Sequence, residues 1–400
     1  MPSTTRLPFS LLITLALTMM LGPFALDTYL PAFPAMASSL GVEQQDIAVT
    51  VSVYIFALAL GQLVGGALSD HYGRRNVLIS GLLLTAVAAL LQAKADSLGL
   101  LMTGRALQAF GAGWALVSVP ALVRDRVAGQ QAAKLFSLLG LIMVVAPALA
   151  PAVGSALLKL GSWRLIFLFL ALYAGLMIPL AAANLAGGRP MGSTATGNKS
   201  PFAASLLANY VAVLGNTQAL PYIFWQASSF TVMMLFITHA SFIYQIHFVQ
   251  SADAFALLFA ANIVAMFAFN LVNRLLLSRL SSLTVLRLGT ACQGIGLALL
   301  LITVGLEWPL AAFLPSMMIA IGALGAITPN IQACFLDHFP TNSGTAAALM
   351  GAAQFGIAGL VSALSAQLPL NLATVVLTMA VCGAIGVAIM LWSLCWRKGR

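Results

Sequence analysis

The chain has 400 residues, of which 61% are hydrophobic and 7% charged, with a formal net charge of +9. Its mean hydropathy is +1.01. Such a balance excludes a water-soluble fold, which needs far more polar surface. The basic excess would point to nucleic acid only if it clustered on one soluble element, and the sequence holds no such element.

Apolar runs of about 20 residues recur along the whole chain, each long enough to cross about 30 Å of hydrocarbon as a helix. Strand-length alternation is missing, which argues against a β-barrel. The sequence predicts an all-α polytopic membrane protein. Its twelve spans fall at 9–33, 47–68, 77–94, 98–119, 135–158, 163–185, 219–246, 254–276, 284–306, 309–332, 342–366 and 371–396. An even number puts both termini on one side. Every Lys and Arg lies on that side except Lys94, Lys159, Arg164 and the intramembrane Arg105. The excess of basic residues makes it the cytoplasmic side.

Span one carries Asp27 in the run Leu26-Asp27-Thr28-Tyr29-Leu30-Pro31. A carboxylate at membrane depth costs at least about 2.5 kcal/mol on insertion scales, so it marks a functional site by default. Residues 1–20 mimic a signal peptide, with Arg6 before an apolar stretch. Removing them would destroy span one, so they read as structural.

Between spans two and three lies Gly61-Gln62-Leu63-Val64-Gly65-Gly66-Ala67-Leu68-Ser69-Asp70-His71-Tyr72-Gly73-Arg74-Arg75. Gly61 and Gly65 let helices approach closely. Gly73 permits a tight reversal that a Cβ would resist. Asp70 is the counter-charge to the arginines. Excess positive charge on a cytoplasmic loop accounts for Arg74 and Arg75 but not for the Gly/Asp/Gly spacing. Span four carries Arg105 and Gln108, i and i+3 on one helix face. An arginine this deep needs a partner or water. Span five reads Ala146-Pro147-Ala148-Leu149-Ala150-Pro151-Ala152-Val153-Gly154-Ser155, with small residues at i+4 spacing and two prolines that bend the helix.

The longest polar stretch, 186–218, is a flexible cytoplasmic linker rich in Gly, Ser and Thr. Phe202 to Leu214 within it suit an interfacial helix. The linker divides the chain into six-span bundles at 1–185 and 219–400. The loop after span eight, with Asn273-Arg274 and Arg279, echoes the loop after span two. Two such halves are the arrangement of a rocking transporter. Cys292, Cys334, Cys382 and Cys395 fit neither a zinc site nor a redox pair and read as buried small hydrophobes. Asp253 suits a helix N-terminus. Trp163, Trp308, Trp392 and Trp396 suit the two membrane interfaces. Tyr29, Tyr54, Gln108, Trp114, Phe230, Tyr244 and Gln354 are candidates to line a cavity, with plain packing as the alternative for each ring.

Several of these runs are similar to known motifs. The loop after span two resembles motif A of the major facilitator superfamily, with His71 in place of the usual basic residue. The resemblance makes Gly66, Asp70, Gly73, Arg74 and Arg75 a charge-locked gate. Arg105 to Gly111 resembles motif B of the drug:proton antiporters, with Ala109 where many members have glycine. Span five resembles motif C, carried by Pro147, Pro151 and Gly154, with Ala at 146 and 150; that motif implies efflux. Asp27 to Pro34, Val123-Arg124-Asp125, Trp163 to Phe167 and Gly344 to Gln354 together resemble the Bcr/CflA subfamily of drug:proton antiporters. In the second half only the run in span eleven and Thr328-Pro329-Asn330 carry the likeness.

The resemblance implies two pseudo-symmetric six-helix halves and a proton-coupled efflux transporter of small amphiphiles in a bacterial inner membrane. Asp27 would carry H⁺ and Arg105 would tune its release. The expected partners are substrate, H⁺ and the bilayer, with no nucleic acid, and the expected state is a monomer. No cofactor or metal is expected, and no G-x-x-x-x-G-K-[ST] loop offers ATP as the energy source. A proton-coupled importer or exporter of a metabolite, such as a nucleoside or amino acid, shares the architecture. An enzyme would need clustered His, Asp and Glu, whereas His239 and His247, the one close pair, are two turns apart with no acid between them.

Overall fold

The computed structural model describes residues 8–124, 146–185, 211, 213–339 and 343–396. The segments 125–145 and 186–210, which hold Asp125, the start of span five and most of the linker with its expected interfacial helix, lie outside the described residues. In chain order the helices are α1 (Phe9–Asp27), α2 (Phe33–Leu40), α3 (Gln44–Tyr72), α4 (Arg74–Ala93) and α5 (Leu98–Arg124). Next come α6 (Ala146–Leu160) and α7 (Arg164–Asn184). After the linker come α8 (Leu220–Ser241), α9 (Ala252–Leu276), α10 (Ser282–Gly305) and α11 (Leu310–Gly322). The series closes with α12 (Leu324–Leu336), α13 (Ser343–Ser365) and α14 (Leu372–Trp396). With α1–α2 and α11–α12 each taken as one broken crossing, these elements match the twelve expected spans. Among the described residues, nine helical stretches are long and apolar enough to cross a membrane, with Phe9–Leu40 and Leu310–Leu336 each counted as one.

Two spans are broken, the first of them where proline removes a donor. In span one, Pro31 has no N–H to give the Asp27 carbonyl four residues back, so α1 stops. The chain passes through a 3₁₀ turn at Leu30–Ala32 and resumes as α2. The span therefore runs to Leu40, beyond the expected end at 33. In span ten the break falls at Ala323, between α11 and α12. Pro329 leaves the Gly325 carbonyl without its helical donor, and the Asn270 side chain of α9 donates to that oxygen at 3.1 Å. Asn330 meanwhile donates to Asn273 at 2.6 Å. The Thr328-Pro329-Asn330 run thus removes one donor within α12, and its replacement stands beside it. Span seven ends in a π-helical turn, Phe242–His247.

Helix starts follow ordinary capping. Ser251 accepts from the Ala254 N–H at 3.2 Å and caps α9, with Asp253 in the first turn. Ser281 does the same for α10 through Thr284 at 3.3 Å. Between α3 and α4 the whole reversal is one residue, Gly73, with φ of 89°. This left-handed conformation suits glycine.

The described residues group into two compact units. One takes those up to Leu40 and from Ala57 into the linker; the other takes Gly41–Phe56 and those after the linker. In the first unit α4 packs on α5 and α7, and α1 packs on α5 and α7. In the second, α10 packs on α11–α12 and α14, and α8 packs on α12 and α14. Third-on-fourth, third-on-sixth, first-on-fourth and first-on-sixth contacts recur in both, so the repeat suspected from the loops is built into the packing. The second unit also ties Gly41–Phe56 to itself. Ser52 donates to Ser362 at 2.8 Å, Gln44 donates to Ser241 at 2.9 Å, and Gln45 bonds the Ala366 and Leu368 carbonyls.

Trp163, in the turn before α7, is buried, with Phe167 edge-on to its ring at 5.9 Å and the Arg164 guanidinium 4.3 Å above it. Arg164 also donates to the Ala95 carbonyl at 2.9 Å. Trp308 and Trp392 are exposed as a belt requires.

Candidate functional site

The end of α1 places Asp27, Thr28 and Tyr29 in the interior of the first unit, all at 1% exposure or less. α5 brings Arg105 and Gln108 to the same place, both fully buried. Their i, i+3 spacing lets the guanidinium Nη1 donate to Gln108 Oε1 at 2.8 Å. The same Nη1 donates to the Ala25 carbonyl at 2.7 Å. Ala25 lies in the last turn of α1, whose carbonyls lack helical donors and carry the negative end of the helix dipole. Arg105 therefore caps α1 as well as facing Gln108. Its guanidinium lies 4.1 Å from the centre of the Tyr29 ring, a cation–π contact. It also stands close enough to Asp27 to act on the carboxylate electrostatically.

Asp27 Oδ1, Thr28 Oγ1 and Gln108 Nε2 are buried in this cluster without a hydrogen bond. Buried polar groups are nearly always bonded, and exceptions concentrate where a site has work to do. Thr28 was not singled out by its sequence. A threonine beside a helix end carries no distinguishing pattern, and only the break at Pro31 turns it inward.

The span-five helix closes the cluster from outside. On α6 the residues Ala146, Ala150, Pro151, Gly154 and Ser155 are buried, the small-residue face expected from the i+4 spacing, with Pro147 half-buried. Gly154 presses on the broken end of α1 so tightly that a methyl there would overlap the Thr28 carbonyl oxygen. α3 packs on α5 in the same manner, with Gly61 against the Phe110 carbonyl and Gly65 against Trp114. α1 also packs directly on α5, with Gly22 against the Leu116 side chain, which holds Arg105 beside the end of α1.

The other candidates lie elsewhere. Trp114 is half-buried, with the Phe110 ring 5.4 Å away. In the second unit, Gln226 donates to Gln354 at 2.8 Å, and Phe230 packs edge-on to Phe355 at 5.0 Å. Tyr54 is fully buried in the α3 segment of that unit. Tyr244 is enclosed by Phe236 and Phe255 and bonded by Asn262 at 3.1 Å. In the loop after α3, Arg75 donates to the Ala182 carbonyl in the last turn of α7 at 3.0 Å. Arg74 reaches Ser69 at 3.5 Å. Gly66 lies within α3, and the side chains of Asp70 and His71 lie outside the described residues.

Comparison with known proteins agrees with this architecture. The chain is 28% identical to a bicyclomycin resistance protein homolog of Haemophilus influenzae, over 95% of this chain and 94% of that one. It is 32% identical to a chloramphenicol resistance protein of Pseudomonas aeruginosa, over 81% and 78% of the two chains. Among solved structures, a D-xylose-proton symporter superposes with a TM-score of 0.77 over 97% of both chains at 16% identity, which shows the fold alone. The sequence profile of the Major Facilitator Superfamily matches residues 15–363. A membrane chain of twelve helices in two six-helix halves, with these relatives, belongs to the Major Facilitator Superfamily, on the branch of bicyclomycin and chloramphenicol resistance transporters.

Proposed function

We propose that the protein is a proton-coupled exporter of small amphiphilic drugs that works by alternating access. The observation that carries this reading is the buried Asp27 carboxylate, with Oδ1 unbonded, beside a guanidinium held at the end of a broken helix. Two such relatives named for resistance, and a small-residue helix resembling the exporter motif, support efflux over uptake.

A carboxylate removed from water resists ionisation, while a nearby guanidinium favours it. On this reading Asp27 holds its proton while enclosed and gives it up when Arg105 and water reach it. In the outward-open state Asp27 loads H⁺ and the drug leaves. In the inward-open state H⁺ departs, Arg105 steadies the carboxylate and the next drug molecule enters. One elementary charge moving through 100 mV supplies about 2.3 kcal/mol, enough for a useful concentration ratio per proton. The bundles 1–185 and 219–400 are the moving bodies, and Asp70, Arg74 and Arg75 latch them. The rings and amides proposed to meet cargo are Tyr29, Gln108 and Trp114 in the first unit, and Tyr54, Phe230, Tyr244 and Gln354 in the second. A single deep acid suits neutral or monocationic substrates rather than dications. The protein acts as a monomer in the bacterial inner membrane, with both termini cytoplasmic.

A drug-susceptibility panel in a pump-deleted bacterial host, with and without a protonophore, tests the reading. Raised resistance that the protonophore removes is expected. Unchanged susceptibility together with proton-linked uptake of a metabolite would replace export with import. In reconstituted vesicles, Asp27→Asn should still exchange substrate down its gradient while substrate-linked proton release disappears. Full coupling in that variant rejects the carrier role.

A further inference from the structure

Where α8 gives way to α9, the second unit holds a cavity of about 700 Å³ that none of the proton-coupling residues lines. Its wall includes a chain of rings. Phe242 and His247 lie 6.5 Å apart, His247 and Phe248 meet edge-on at 4.8 Å, and Phe248 and Phe313 lie 5.1 Å apart. Trp308, 47% exposed, adds a fifth ring from the loop between α10 and α11. Glu307 stands next to it. Neither Lys nor Arg lines the cavity.

The backbone holds these groups by unusual means. Phe242 and His247 reach the same cavity because the chain there is a π-helix rather than an α-helix. Such turns are rare and gather at functional positions. Among the described residues, two non-glycine residues have left-handed backbones: Val249 at φ 53° and Glu307 at φ 52°. A β-branched residue with positive φ is a true outlier. One follows Phe248 and the other precedes Trp308, so both outliers adjoin the rings they orient. Each closes a helix end, with the Gln250 N–H bonded to the Tyr244 carbonyl and the Trp308 N–H to the Thr303 carbonyl, and so fixes the ring beside it.

We propose that this cavity binds amphipathic organic monocations, with Glu307 supplying the counter-charge and the Phe242, Phe248, Trp308 and Phe313 rings supplying π-faces and apolar contact. Aromatic cages are the usual receptor for cations too large and greasy to hydrate well. Its volume is that of a pocket for a drug-sized molecule. A lining that holds Glu307 and, among the described residues, neither Lys nor Arg disfavours anions. The site is separate from the Asp27 cluster, and it stands whether or not the protein exports drugs.

The probe is tetraphenylphosphonium, titrated into the purified full-length protein, with neutral triphenylphosphine oxide as the control. Quenching of tryptophan fluorescence reads the binding. The part of the signal that disappears in Trp308→Phe protein reports this cavity alone. The cation is expected to bind more tightly than the neutral compound. Glu307→Gln should weaken the cation by about three- to fivefold, the worth of one partly exposed charge pair, and leave the neutral compound unchanged. Phe248→Ala should weaken both. Equal affinity for cation and neutral compound in the wild type overturns the proposal. So does wild-type cation binding in both Glu307→Gln and Phe248→Ala.

Discussion

Arg105 serves as a helix cap, an amide partner and a stacking surface at once. Lysine keeps the charge but loses the planar face over Tyr29 and the fixed direction of the guanidinium donors. Arg105→Lys should therefore fold and reach the membrane while transport falls at least about tenfold, the effect of losing roughly 1.4 kcal/mol from the coupled states. Expression level and initial transport rate, measured on the same membranes, check this; wild-type kinetics would discard the tuning role. Asp27 and Arg105 were legible in the sequence because charges inside apolar runs are rare and costly. The Ala25 carbonyl that Arg105 caps was not, because it depends on where α1 stops. The unbonded hydroxyl of Thr28 was hidden for the same reason.

At the scale of elements, two close contacts make firm expectations. Gly154 lies against the Thr28 carbonyl with no room for a methyl group. Overpacking of this kind typically costs about 1–3 kcal/mol when neighbours must shift. The displaced group would be the break that carries Asp27. Gly154→Ala should therefore depress proton-linked transport more than Ala148→Gly, a change on the same helix at a half-buried position. Equal transport in the two variants counts against the contact.

The second contact is the Asn270 amide that replaces the donor Pro329 removes from the Gly325 carbonyl within α12. Asn270→Ala leaves a buried carbonyl unsatisfied, worth about 1–3 kcal/mol. In a Pro329→Ala background the restored N–H can serve Gly325, so the same substitution should cost much less. Thermal unfolding of the four proteins in a double-mutant cycle measures the difference, and additive effects would refute the repair. The small-residue face of α6 and the reversal at Gly73 were readable from spacing. The break within span one was not, although Pro31 and Pro34 stood in plain view, because a proline in an apolar run is equally compatible with a gentle kink.

For the molecule as a whole, the number of spans and the distribution of base along the chain were the legible part. Each depends only on composition and length. Which helices touch was not legible, yet the pairing pattern repeats between the two units. The grouping of Gly41–Phe56 with the second unit also escaped the sequence, since it rests on Gln44, Gln45 and Ser52 meeting partners some hundreds of residues away. The charge bias makes one further claim. A green fluorescent protein fused after Arg400 should fluoresce in intact cells, and alkaline phosphatase fused at the same point should be inactive. The opposite pair of results would invert the topology.

The partnership of Pro329 with Asn270 reaches past this one molecule. Where a proline strips a donor from an oxygen, the asparagine on a neighbouring helix that replaces it cannot be lost first without orphaning that carbonyl. Lineages that exchange the ring for an ordinary residue at 329 are freed from needing an amide at 270. In an alignment of many descendants the two columns should accordingly switch together, leaving a paired evolutionary footprint that neither position would show by itself.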